Sequence, residues 1–204
     1  MAFTPRTRLV AQPVSIERLE PRLALAGNVT AYVSRGTLTL RGDDLGADIT
    51  ISQPAPGQIT VSGTDTTINR AVDSMTFSGV TRNLFIQFGR GRDQLRIDQT
   101  DPIVIPGNVS IVGGGGSDSM STLTATDGIL RIGGSFRVWN FSGRDDASVT
   151  SLRNLDITGD LRIQTAGQGG MVEIEGGGGT GSASRVGGSV IIVNDAREAA
   201  SAFL

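Results

Sequence analysis

The chain has 204 residues, 29 of them Gly, a formal net charge of −2, and neither Cys nor His. All 18 basic residues are Arg, so Lys is absent as well. These absences exclude Ser-His-Asp and Cys-His catalysis, Cys/His zinc centres, Schiff-base chemistry, a P-loop and disulfide staples. Charges of both signs are interspersed without a basic run, which argues against nucleic-acid binding. No apolar stretch approaches the ~20 residues of a membrane span.

Residues 1–26 carry Arg6, Arg8, Arg18 and Arg22 against Glu17 and Glu20, and are net positive. The segment lacks the uninterrupted apolar stretch of an ordinary secretory signal. It reads either as a disordered tail or as an export and sorting segment. From Gly27 the texture changes to short alternating runs of Val, Ile, Leu and Thr broken by Gly and Asp. TLTL (37–40), DITIS (48–52), ITVSG (59–63) and MTFSG (75–79) read as short strands. Residues 27–80 are expected to form a β-rich cap of less regular spacing.

Residues 81–195 repeat. NLFIQFGRGRDQLRI (83–97), NVSIVGGGGSDSMST (108–122), SFRVWNFSGRDDASV (135–149) and DLRIQTAGQGGMVEI (160–174) align, and SVIIV (189–193) begins a further copy. Ile86, Ile111, Val138, Ile163 and Ile192 fall at one equivalent position. Each unit reads as a strand, a Gly/Asp turn, a second strand and a looser return. The inward set is Leu84, Ile86, Leu95 and Ile97, then Val109, Ile111, Met120 and Thr122. Phe136, Val138, Ala147, Val149, Leu161, Ile163, Val172 and Ile174 continue it. One unit cannot bury its apolar face, but stacked units can. The expected fold is all-β, a parallel β-solenoid of ~25-residue turns, with a β-sandwich as the runner-up. Residues 196–204 form a short tail, read as a terminal helix. Open strand edges at the ends invite end-to-end self-association.

The turns carry a G-x-G-x-D pattern: Gly89 and Gly91 with Asp93, then Gly114 and Gly116 with Asp118. A decayed copy holds Gly143 and Asp145. One reading of these residues is structural, with Gly supplying positive φ and Asp bonding the turn's own amides. Arg90 and Arg92 beside Asp93, and Arg144 beside Asp145, are placed to neutralise the carboxylates.

The same turns resemble the nonapeptide of hemolysin-type calcium-binding (RTX) proteins. That resemblance implies a second reading, in which Asp93, Asp118 and Asp145 with the turn glycines Gly89, Gly91, Gly114, Gly116 and Gly143 help hold Ca²⁺. No cofactor is otherwise required. The RTX motif runs in tandem, whereas here it recurs once per unit with a strand between. Residues 15–27, SIERLEPRLALAG, resemble the LEPR-type N-terminal motif of planctomycete exported and surface proteins through Leu19, Glu20, Pro21 and Arg22. GNVTAYVSRGTLTLRGD (27–43) and ITVSGTDTTIN (59–69) are similar to β-helical repeats of large surface proteins of that group. The resemblance implies an exported, extracellular structural or adhesive module with a cell-envelope or matrix partner.

Catalysis is not expected. Paired carboxylates such as Asp145 and Asp146 suit glycoside hydrolysis, but returns of about ten residues leave no loop to wall a cleft. Trp139, the only Trp, sits beside the inward Val138 and so is expected to point outward, partly exposed.

Overall fold

The computed structural model describes residues 27–98, 100–116, 118–123, 128–141, 149–166, 171–175, 183–195 and 202–203. Every regular element among them is a strand. Among the described residues no helix is long and apolar enough to cross a membrane. The strands form three sheets.

Sheet 1 contains β1 (Gly27–Ser34), β2 (Thr37–Gly42), β5 (Thr66–Ile68), β7 (Leu84–Gln87), β10 (Val109–Val112), β13 (Phe136–Phe141), β16 (Leu161–Ala166) and β19 (Val190–Asp195). Its spatial order is β19-β16-β13-β10-β7-β2-β1-β5. Sheet 2 contains β3 (Asp48–Ala55), β4 (Gln58–Thr64), β6 (Ser74–Ser78), β8 (Gln94–Asp98), β11 (Ser119–Leu123), β14 (Val149–Arg153), β17 (Met171–Glu175) and β20 (Ala202–Phe203). Sheet 3 contains β9 (Ile103–Ile105), β12 (Leu130–Ile132), β15 (Leu155–Ile157) and β18 (Arg185–Val186). From β7 onward the chain visits sheets 1, 2 and 3 in rotation. Each return pairs in parallel with the strand laid down one round earlier.

Period-2 alternation sets the register. A one-residue slip would carry every apolar side chain to the outer face. Leu38, Leu84, Val109, Phe136 and Leu161 stand opposite one another on successive strands of sheet 1. Leu40, Ile86, Ile111, Val138 and Ile163 form the parallel column two residues on. All ten are buried, each contributing roughly 1.5–3 kcal/mol of burial free energy. Ile192 continues the second column on β19, so the equivalence read from the sequence is the actual register. Sheet 3 adds Ile103, Leu130 and Leu155, with Ile105, Ile132 and Ile157 beside them, all buried.

Three local expectations change. The looser return of each unit is a strand, the one that builds sheet 3. In β14, Val149 pairs with Ser119 instead of Thr122, a shift of three residues. Thr150 and Leu152 therefore hold the buried positions expected for Ala147 and Val149. Within the tail, Ala202–Phe203 is a short strand on β17, not part of a helix. Residues 1–26, read above as a tail or an export segment, lie outside the described residues.

The first rounds are built differently. β1 and β2 form an antiparallel hairpin through Arg35 (φ 49) and Gly36 (φ 78), the two positive φ values of a type I′ turn. β3, β4 and β6 form an antiparallel meander. Both units feed directly into the parallel ladders, β2 onto β7 and β3 onto β8.

Candidate functional site

The G-x-G-x-D turns of the first two repeats lie one on the other. Gly91 N donates to Gly115 O (2.8 Å) and Gly115 N to Gly89 O (3.0 Å). The stacking leaves no room for a side chain at Gly114 or Gly116, whereas a Cβ on Gly115 between them would meet only the Arg90 side chain, at 4.0 Å. Gly114 (φ +89) and Gly116 (φ +124) have backbone that L side chains rarely adopt, and a Cβ on Gly116 would run into the carbonyl oxygen of Gly91. The glycines are required by close backbone approach and by φ together.

Asp93 and Asp118 point inward from these turns and are buried, 1% and 4% exposed. Asp93 Oδ1 accepts a hydrogen bond from the Ala47 amide (2.8 Å). Asp118 Oδ1 accepts one from the Asp93 amide (3.3 Å). Ser119 N donates to Asp93 O (2.8 Å). Each carboxylate thus supports the backbone of the preceding round. Asp93 Oδ2 is buried without a hydrogen-bond partner among the described residues. Burial pushes the Asp93 carboxyl up to about 6, assisted by the charge of Asp43 and opposed by the Ala47 hydrogen bond.

The two carboxylates line a cavity of about 10 Å³, with Phe88, Leu95, Ile111 and Val138 as its apolar walls. Calcium takes six to eight oxygens. The described walls offer few, and no group of three or more acidic, His or Cys side chains gathers among the described residues. The structure therefore brings together Asp93, Asp118, Gly89, Gly91, Gly114 and Gly116. Asp145 and Gly143 lie outside the described residues.

Sequence reasoning missed a second ladder, at the corner between sheets 3 and 1. Asn108 N donates to Asn83 Oδ1 (2.9 Å) and Ser135 N to Asn108 Oδ1 (2.8 Å). Asp160 N donates to Ser135 Oγ (3.1 Å), and Ser189 N to Asp160 Oδ1 (2.9 Å). Its signal was present: Gly107-Asn108, Gly134-Ser135, Gly159-Asp160 and Gly188-Ser189 each precede an apolar strand residue.

Two open grooves flank Gln53, at the join of β3 and the β8–β9 connection. One is lined by Pro54, Pro56, Pro102 and Val104, the other by Asp98 and Asp101 with Ser52. Asp98 Oδ1 is engaged by Thr100, from the amide (3.0 Å) and the hydroxyl (2.6 Å). That is a turn-forming role. Comparison with family models, with curated proteins and with solved structures finds no match for this chain.

Proposed function

We propose that this chain is an exported, non-catalytic β-solenoid that serves as a structural or adhesive module at the cell surface. The observation that carries the reading is the continuous register of Leu40, Ile86, Ile111, Val138, Ile163 and Ile192 across sheet 1. With the rotation of the chain through three sheets, it supports an elongated stack built by repetition. Such a stack offers broad, regular faces and few concavities. The LEPR-type segment supports the export part of the reading. The engagement of Asp93 and Asp118 by backbone amides, and of Asp98 by its own turn, supports a role without catalysis.

Expression of the full chain with a C-terminal epitope, followed by fractionation and protease shaving of intact cells, tests this. Surface-accessible epitope is the expected result. Protein held in the cytoplasm with residues 1–26 intact contradicts it.

A second reading is a Ca²⁺-dependent binding module of RTX type. Its support is the stacking of Asp93 and Asp118 at adjacent rounds. A melt with and without calcium separates the two.

A further inference from the structure

Charged side chains are placed differently on the three sheets. On sheet 2, Arg96 bonds Asp48 (2.7 Å) and Arg153 bonds Glu175 (2.6 Å). On sheet 3, Arg131 faces Asp156 on the next strand (3.7 Å). Sheet 1 breaks the pattern. Arg137 and Arg162 are direct neighbours in the parallel register of β13 and β16. Both are exposed, and neither forms an ion pair with a described residue. Like charges on adjacent strand positions are destabilising, so fold stability does not account for the pair.

The surroundings of the pair are distinctive. Trp139 lies on the same outer face of β13, two residues from Arg137, and is half-buried. The outward column through Arg137 and Arg162 runs on through Phe85 to Tyr32, the only Tyr. The column through Trp139 runs through Gln87 to the exposed Arg41. Neither column contains an acidic residue, in a chain whose net charge is −2. The face thus collects three arginines with the only Trp and the only Tyr.

We propose that the outer face of sheet 1 binds a linear polysaccharide bearing carboxylate groups. Guanidinium groups match carboxylates in planar, two-point geometry. Aromatic side chains supply flat apolar surfaces for the C–H faces of sugar rings. Arg137 and Arg162 stand on adjacent strands, about 4.8 Å apart in the ladder, which suits two carboxylates on neighbouring units of a polymer. An acidic peptide is the lesser fit. Extended peptides are held by main-chain hydrogen bonds at a sheet edge, and this face presents ladder interior, with its backbone groups already paired between strands. The proposal deepens the adhesive reading by naming its ligand class, and its test in purified protein is independent of where the protein resides.

The test is electrophoresis of the full chain in native gels containing polygalacturonate, dextran or poly-L-glutamate. Emission of Trp139, the only Trp, reports on the face. Retardation by polygalacturonate alone, lost with added salt and accompanied by a change in emission, is expected. The double variant Arg137→Gln/Arg162→Gln should bind at least tenfold more weakly, and Arg96→Gln on sheet 2 should bind as wild type. Unchanged far-ultraviolet dichroism verifies folding of each variant. Should the double variant fail to fold, the wild-type comparison of the three polymers decides. No retardation by polygalacturonate overturns the proposal, and so does equal or stronger retardation by poly-L-glutamate, which points to an acidic protein. Equal loss in Arg96→Gln overturns it as well.

Discussion

The side-chain amide of Gln53 pairs with both backbone groups of Val104. Val104 N donates to Gln53 Oε1 (2.7 Å), and Gln53 Nε2 donates to Val104 O (3.2 Å). β9 is the outermost strand of sheet 3, and Gln53 thereby stands in for a missing strand. Asn69 does the same for β1. Its Oδ1 accepts from Ala31 N (2.8 Å) and its Nδ2 donates to Ala31 O (3.0 Å). Unpaired strand edges template association, and these two amides close the N-terminal end of two sheets.

Replacing Gln53 by Leu should therefore cost about 1–3 kcal/mol, the usual penalty for stranded polar groups. It should also promote concentration-dependent association through β9. Urea unfolding and light scattering check both effects. Wild-type stability and scattering in the variant would mean that Val104 is adequately solvated without the cap.

Asp93 makes stability depend on pH in a defined direction. Its folded-state value of about 6 lies above the ordinary 3.8. Between those values the folded protein keeps a proton that the unfolded chain releases, so this group's contribution falls as pH rises toward 6. Asp93→Asn retains an acceptor for Ala47 N and removes the buried charge. The variant should match wild type near pH 3.5, below the ordinary value, and exceed it in urea midpoint near pH 7.5. A constant difference across that range would show that Asp93 is not the titrating group.

Gly116→Ala should destabilise by at least the roughly 1–3 kcal/mol of a strained backbone position, because the new Cβ also meets the Gly91 carbonyl. Gly79→Ala is the matching control. It shares a positive φ of +79 but meets nothing within 4 Å, and should lose less. Equal losses by thermal denaturation would assign the whole effect to φ and none to stacking.

The parts of this architecture that follow from alternation were legible in the sequence. Ile86, Ile111, Val138, Ile163 and Ile192 repeat because each needs the same buried slot, and any slip exposes them. Sheet 3 was not legible, since its strands are two or three residues long and run straight into Gly corners such as Gly133-Gly134. The register of β14 does not follow from the spacing of the G-x-G-x-D pattern, because burial of Thr150 and Leu152 decides the pairing. The G-x-G-x-D turns were visible, but not that Asp93 and Asp118 point inward, against the usual preference of carboxylates for water. Gln53 and Asn69 were invisible as caps. An amide becomes a strand substitute only through partners that are 51 and 38 residues away in the chain.

The most direct test of the account is a thermal melt of the full chain followed by far-ultraviolet dichroism, in about 5 mM Ca²⁺, well above the range of weak extracellular calcium sites, and then in chelator. The account predicts coincident β-type melts, because stacked glycines, backbone-bonded carboxylates and apolar columns hold the rounds together unaided. A large rise in melting temperature with Ca²⁺, or folding only in its presence, would contradict it and establish a calcium-dependent module.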